Sequence, residues 1–404
     1  MSDTRALYAQ IDEIKGWQEE LYKHLHANPE LSMQETATLA QITGQLEEFG
    51  YTTHQIGGGV VGVLANGEGP TVLFRADFDA LPVKEETGLP YASTATAKDR
   101  DGNEQFVMHA CGHDFHVAAH LGAAKILAHH RDAWSGTYLA LFQPGEETGE
   151  GAVSMVEAGL TDTVPTPDVA LGQHVVPLPA GHIQIAAGPV LSTAAMMKIV
   201  VHGKGSHGSM PHFSVDPIVL ASAIITRIQS VVAREIDPSD FGVITVGAIH
   251  SGTKANVIPS EATMLLNFRA YSSETLNTLI DAVKRIVHAE CTAARCPREP
   301  EFFLSDVIPP TENDTTVTEA LTSAFTEHFG AERVSPMTPA TGSEDFSTIP
   351  QAFGTPYCYW FWGGFDADSE PHPNHSSRFA PALQPTLSTG TEAALTALLT
   401  FLKK

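Results

Sequence analysis

AAMMKIVVHG (194–203) followed by DPIVLASAIITRIQSVV (216–232) is the stretch that decides the fold. The first segment is a strand pattern. The second opens on Asp216-Pro217, an acceptor at the N-cap followed by a proline at the first helical position. Val219, Leu220, Ala223, Ile224, Ile228 and Val231 then recur at helical spacing and predict one apolar face. Two strands follow, VITVGAI (243–249) and ATMLLNFRAY (262–271), then a long helical pattern over about 274–294 and a short strand FFL (302–304). The order β-α-β-β-α-β is that of a split βαβ unit, read here as an inserted domain at 190–303.

Outward from this insertion the pattern changes. TVLFRAD (71–77), TYLALFQ (137–143) and DVALGQH (168–174) are short apolar runs that end in polar residues, with helical patterns between them, as around 115–129. Such alternation predicts an α/β layer architecture with a mostly parallel sheet, in which sites collect beyond the carboxyl ends of the strands. Past the insertion come TGSEDF (341–346), an aromatic run YCYWFW (357–362) and an amphipathic helix over about 385–403. The predicted organisation is a catalytic domain in two parts, 1–189 and 304–404, interrupted by 190–303.

With 43% hydrophobic and 17% charged residues, the 404-residue chain has ample material for packed cores. Its 23 basic and 47 acidic side chains leave a formal charge of −24, which disfavours nucleic acid and anionic membranes as partners. An anionic substrate would need a local cationic anchor. Cys111, Cys291, Cys296 and Cys358 are too few and too irregular for a disulfide framework. The first segment, MSDTRALYAQIDEIKGWQEELYKHLH (1–26), reads as a polar amphipathic helix and not a signal peptide, and no apolar run is long enough for a membrane span. A reducing cytoplasm is the expected compartment.

The reactive residue types are concentrated. MHACGHDFH (108–116) places Cys111 and His113 on either side of Gly112, and thiolate and imidazole are good ligands for zinc. His116 and His120 fall on the same helical face as His113 but read better as structural histidines. FQPGEETGEG (142–151) ends a strand and presents Glu146 and Glu147 side by side, so that one carboxylate can bind metal while its neighbour faces a reacting water. Glu150 reads as an exposed turn residue. His174 ends a strand at the same sheet edge, and Asp77 and Asp79 end another, where they suit support of a ligand imidazole better than direct coordination.

Taken together, RADFDALP (75–82), MHACGHDFH (108–116), FQPGEE (142–147), GKGSHGSMPH (203–212), ANVIP (255–259), GSEDFS (342–347) and NHSSRF (374–379) resemble, in order, the motifs of the M20 metallopeptidase family. They are most similar to its amidohydrolase branch of aminoacylases, hippurate hydrolases and auxin-conjugate hydrolases; LHANPELSMQE (25–35) also fits, and the resemblance spans about 21–400. It implies that Cys111, His113, Glu147, His174 and the distant His375 are metal ligands and that Glu146 is the general base. Branch members often carry proline where Ser377 stands. The resemblance also implies a ferredoxin-like α+β lid, through which a homodimer would form, and a histidine, His207, that completes the partner's active site. Asn256, Arg269 and His212 match residues that hold the substrate carboxylate or the tetrahedral oxygen.

The expected function is hydrolysis of N-acyl amino acids by two divalent metal ions, zinc first, with manganese, cobalt or nickel admissible. The alternative on the same site is a metallo-carboxypeptidase or dipeptidase. A metal-binding protein without catalysis would not need the second carboxylate of the Glu146-Glu147 pair. A serine hydrolase reading of GSHGS (205–209) lacks the strand-to-helix elbow that such a nucleophile requires.

Overall fold

The computed structural model describes residues 2–402. Met1, at the head of the N-terminal amphipathic segment, and Lys403, at the end of the last helical pattern, lie outside the described residues, as does Lys404. The major elements begin with α1 (Ser2–Ala27), α2 (Thr36–Glu48), β1 (Thr52–Ile56), β2 (Gly59–Asn66), β3 (Thr71–Asp77), α3 (His113–His129), β4 (Gly136–Gln143), β5 (Val169–Pro179) and β6 (Ile183–Ile185). Next come β7 (Thr193–His202), α4 (Pro217–Ile228), β8 (Gly242–His250), β9 (Glu261–Ala270), α5 (Ser273–Ala293) and β10 (Glu301–Ile308). The chain closes with α6 (Thr315–Phe329), β11 (Val334–Pro336), β12 (Tyr357–Phe365) and α7 (Leu383–Phe401), the last with a break at Gln384. Among the described residues no helix is long and apolar enough to cross a membrane.

The chain forms two compact units: one holds the chain up to Val190, Glu312–Thr338 and everything described from Asp345 on; the other holds Leu191–Thr311 and Pro339–Glu344. The first unit is built on an eight-stranded sheet in the order β1-β2-β4-β3-β5-β12-β6-β11. Its centre, β4-β3-β5-β12, is parallel, and antiparallel pairs β1-β2, β2-β4 and β12-β6 flank it. Parallel strands are covered on both faces, which is why TVLFRAD and TYLALFQ carry consecutive apolar residues at their centres and why Leu73, Phe74, Leu139 and Phe142 are fully buried. Helix α3 packs on β3 and carries α1 and α7 against it. One buried side chain stitches these three helices: the Gln18 amide Nε2 donates to Ala118 O at 2.8 Å and to Thr391 Oγ1 at 2.7 Å.

One sequence expectation changes here. DVALGQH does not end at His174: β5 continues to Pro179, because VVPLP goes on pairing with β12 through Val175↔Trp362 and Val176↔Gly363. His174 therefore lies within a strand, just past the point where β3 stops pairing at Arg75↔Gly172. The aromatic run 357–362 is this central strand β12, and Tyr359, Trp360 and Trp362 are fully buried core residues.

The second unit contains a four-stranded, wholly antiparallel sheet in the order β8-β9-β7-β10. With α4 and α5 this is the ferredoxin-like arrangement, first and third strands central. Asp216 caps α4 by accepting from the Ile218 and Val219 amides, and Ser272 caps α5 by accepting from Thr275 N at 3.0 Å. Alternation along β7 buries Met197, Ile199 and Val201 and leaves Met196 exposed. The apolar face of α4 differs from expectation: Leu220, Ala221, Ile224 and Ile228 are buried, whereas Val219 and Ala223 face solvent. Adjacent rows along the helix are both apolar here, so periodicity alone did not choose between them. The last strand is also longer than FFL, since β10 pairs with β7 as far as Ile308↔Ala194.

Candidate metal centre

The site grows from the ends of β3 and β4, the start of α3, the middle of β5 and the loop after β12. Gly112 precedes α3 in a left-handed conformation, φ 86°, and a Cβ there would stand 2.4 Å from Val175 Cγ1. Only glycine lets the chain turn this closely against β5, and the turn presents Cys111 and His113 to the same space. At the end of β4, Gly145 (φ 57°) turns the chain into a short 3-10 segment, Glu146–Thr148, that carries both glutamates.

Five candidate ligands meet. Cys111 Sγ lies 3.4 Å from His174 Nε2, and Glu147 Oε2 lies 3.3 Å from His375 Nε2. His113 Nε2 lies 3.9 Å from Glu147 Oε1 and 3.9 Å from Glu146 Oε2. Donor atoms of Cys111, His113 and His174 lie within 4.8 Å of one another, and so do those of Cys111, Glu147 and His375. Cys111 is common to both sets. A third such set, His113, Glu146 and Glu147, includes the expected base.

The residues fit a bound dication. His113 Nε2 and Glu147 Oε1 are fully buried without a hydrogen-bond partner, an arrangement that costs free energy unless a ligand meets them. Burial by itself lowers the His113 pKa, but the carboxylates of Asp77, Asp79 and Glu147 outweigh it and push it up to about 10. Burial, then the carboxylates of Glu147 and Glu146, push the Cys111 thiol well above its ordinary range. Burial, with His116 alongside, holds His174 neutral, and the hydrogen bond to Glu147 raises His375. The cluster thus gathers negative charge around buried nitrogen and sulfur, and a cation both neutralises the charge and favours the thiolate.

Asp77 and Asp79 occupy supporting positions. Asp79 Oδ1 accepts from His113 Nδ1 at 3.1 Å, while Oδ2 accepts from Ser32 Oγ at 2.6 Å and from the Glu147 amide at 3.0 Å. Asp77 accepts from Arg75 NH1 at 2.7 Å and from His116 Nδ1. Burial opposes the Asp77 charge, but Arg75, His113 and His116 prevail and hold its pKa far below the carboxylate range. His116 has both ring nitrogens engaged, since Nε2 accepts from Val175 N at 3.0 Å. His120 is bonded to Tyr138 OH at 2.6 Å, deep in the core, and Glu150 forms an exposed ion pair with Arg100. Neither belongs to the cluster.

Ser32, Glu35, Arg75 and Asn374 support this centre and were not singled out in the sequence. Glu35 Oε1 accepts from Gly145 N at 2.8 Å, and Arg75 NH2 also reaches Asp345 Oδ1 at 3.1 Å. Only the polar residues inside LHANPELSMQE and the arginine inside the apolar run TVLFRAD hinted at the first three. The His375 loop is held at Ser377, whose carbonyl accepts from Glu86 N at 2.7 Å and whose hydroxyl donates to Glu86 Oε2 at 3.0 Å.

The remaining site residues lie in the second unit. His207 and Asn256 stand together on a two-stranded ribbon, where His207 pairs with Val257 and Gly208 N donates to Asn256 O at 2.8 Å. His207 Nδ1 accepts from the Ser209 amide at 3.2 Å, which leaves Nε2 as the protonated, exposed nitrogen. His212 is exposed in the 3-10 turn Pro211–Phe213 and its ring lies 4.1 Å from that of Phe213. Arg269, on β9, is held by Asn267 Oδ1 at 3.3 Å and by the Ser343 hydroxyl. Ser206 and Ser209 sit on this ribbon and its loop, not on a strand-to-helix elbow.

The sequence pattern of peptidase family M20/M25/M40 matches residues 73–400. The chain belongs to this family. Among its M20 relatives, thermostable carboxypeptidase 2 of Saccharolobus solfataricus is 37% identical over 91% of both chains. N-acetyl-L-cysteine deacetylase of Bacillus subtilis is 33% identical over 87% of this chain and 80% of the relative. The crystal structure of a dinuclear metal binding M20 peptidase from Bacillus subtilis superposes with a TM-score of 0.78 at 27% identity, covering 98% of this chain and 99% of that one. The M20 fold, an α/β sheet domain with an inserted α+β unit, is that of this chain.

Proposed function

We propose that this chain is a dinuclear metal-dependent amidohydrolase that cleaves N-acyl amino acids to a carboxylic acid and a free amino acid. The observation that carries this reading is the overlap of two donor sets on one thiol: Cys111 with His113 and His174, and Cys111 with Glu147 and His375. Likeness to an N-acetyl-L-cysteine deacetylase supports the acyl amino acid as substrate class. The mixed sulfur, nitrogen and oxygen donors suit zinc first and admit manganese, cobalt or nickel. Two such ions would polarise the amide carbonyl and acidify water.

The proposed division of labour follows from position. Glu147, His174, His113, His375 and Cys111 would hold the ions, Cys111 being the donor common to both sets. Asp79 fixes His113 through Nδ1 and steadies Glu147 through its amide, while Asp77 supplies negative charge 3.6 Å from His113 Nε2. Glu146 has the remaining carboxylate of the cluster; it takes the proton of the attacking water and returns it to the departing nitrogen. His207, with its exposed Nε2–H, is assigned to the developing oxyanion. Arg269 is assigned to the amino-acid carboxylate, as a planar fork already oriented by Asn267 and Ser343, with Asn256 and His212 beside it in the substrate-binding set.

The compartment proposed is the cytoplasm, in keeping with four free cysteines. A homodimer through the ferredoxin-like unit is proposed as the assembly; Met196 (48% exposed), Leu265 (41%) and Phe303 (47%) on its sheet support it as an apolar surface.

A second reading, a metallo-carboxypeptidase on the same centre, is favoured by the likeness to the archaeal carboxypeptidase. The deciding experiment compares N-acetyl and longer N-acyl amino acids with dipeptides and peptides, before and after chelation and with each metal restored. Fast release of amino acid from N-acyl substrates, lost on chelation, supports the proposal. Preference for peptides supports the second reading. Turnover indifferent to chelation removes both.

A further inference from the structure

We infer that Asn374 is a positioning residue whose single carboxamide ties together three ligand-bearing segments and so holds the solvent-facing ligand His375 in the cluster. The inference rests on the metal-centre reading above and adds a residue to it.

His375 is the ligand least able to hold itself in place. Its side chain is 55% exposed, whereas those of His113 and Glu147 are 0% and 7% exposed. Its backbone is left-handed, φ 69°, an uncommon conformation for a residue with a Cβ. Such a conformation persists only when surrounding contacts impose it. Those contacts converge on the residue before it. Asn374 Nδ2 donates to Cys111 O at 3.1 Å and to Val175 O at 3.2 Å, and it lies 3.7 Å from Cys111 Sγ. Next to it, the His375 amide donates to Ala110 O at 2.7 Å.

Each end of this clasp belongs to a ligand. Cys111 is itself the shared donor. Val175 follows His174, and its carbonyl also accepts from His174 Nδ1 at 2.7 Å, the bond that turns Nε2 towards the cluster. One carbonyl with two lone pairs therefore serves both His174 and Asn374. The segments joined lie before α3, on β5 and after β12, far apart in sequence, and one amide with two N–H groups closes them. The approach of an N–H to the sulfur also withdraws charge from Cys111, as outer hydrogen bonds to ligand sulfur do. No other amino acid of this size offers two donors at that distance: aspartate would set oxygen against two carbonyls, and alanine would leave both unanswered.

The test is zinc affinity of the full chain by competition with a chromogenic chelator, for wild type, Asn374→Ala and Asn374→Ser. Cobalt-loaded spectra of the thiolate-to-metal band and melting of metal-free and metal-loaded protein are recorded alongside. Expected are a roughly 10- to 100-fold loss of affinity in Asn374→Ala, a smaller loss in Asn374→Ser, which keeps one donor, and a shifted cobalt–thiolate band. The melting temperature of the metal-free protein should change less than that of the loaded protein. Equal affinities and an unmoved band, or equal losses of melting temperature with and without metal, would overturn the inference. Should Asn374→Ala not fold, Asn374→Ser with wild-type affinity and spectrum overturns it equally. Wild-type protein that takes up no zinc or cobalt would instead remove the metal-centre reading, and this inference with it.

Discussion

Asp79 Oδ1 accepts from His113 Nδ1 at 3.1 Å while the other oxygen of the same carboxylate accepts from the Glu147 amide at 3.0 Å. One buried side chain thereby sets the tautomer of one candidate ligand and the backbone position of another. Ser32, from the loop after α1, donates to that second oxygen at 2.6 Å and completes its bonding. Burial opposes the Asp79 charge, and these bonds more than offset it, so its pKa is lowered.

Asp79→Asn tests this relationship. Asparagine has one acceptor oxygen where three donors converge, so its NH2 must face a donor. Zinc affinity is expected to fall roughly 10- to 100-fold, measured by chelator competition. Unchanged affinity would mean that His113 and Glu147 hold their places without Asp79.

Glu146→Gln separates proton transfer from metal binding. It is expected to keep the fold and the metal content and to lose about 10²- to 10⁴-fold in kcat. Metal analysis of the purified variant and steady-state rates on an N-acyl amino acid check both halves. Wild-type turnover would remove Glu146 as the base.

Gly112→Ala places a Cβ 2.4 Å from Val175 Cγ1 on a backbone with φ 86°. The conformation alone costs about 1–3 kcal/mol for a residue with a side chain, and the clash adds to it. A lower melting temperature and a loss of zinc affinity are expected together, because Cys111 and His113 flank the displaced residue. A variant as stable as wild type would contradict the close approach.

Arg269→Ala should lower kcat/KM roughly 10- to 100-fold on substrates with a free α-carboxylate, as loss of a charged hydrogen-bond pair does. The change should fall mainly on KM and spare substrates whose carboxylate is esterified. Equal losses on both substrate classes would assign Arg269 to structure.

The His26 pair makes stability depend on alkaline pH. His26 is buried and bonded to Asp114 Oδ2 at 2.7 Å and Glu85 Oε1 at 3.0 Å. Burial would lower its pKa, but the two carboxylates push it up from 6.5 to about 9. A raised folded-state pKa contributes stability that is complete below pH 6.5 and is lost as pH rises through about 9. The contribution is on the order of 3 kcal/mol. Urea midpoints of wild type and His26→Gln should therefore differ most just below pH 6.5, draw together as pH rises, and converge above about pH 9. A gap independent of pH across that window would show that the imidazolium does not carry it.

Much of this protein was legible in its sequence, for local reasons. Element type follows from period: apolar runs such as TVLFRAD specify buried parallel strands, and Asp216-Pro217 or Ser272 specify where a helix begins. The chemistry of the centre was also visible as residue types, with Cys111, His113 and the Glu146-Glu147 pair each beside a glycine turn that aims them. Tertiary structure decided what depends on contacts between distant segments. The β5-β12 pairing set His174 inside a strand, core packing chose the buried row of α4, and Asp77 met the imidazole of His116, 39 positions away. Above all, Asn374 and Asp79 act through bonds to residues 263 and 34 positions away. Periodicity reaches only a few residues along a chain; which loops face one another is fixed by the order of strands in the sheet, and that order exists only once the chain has folded.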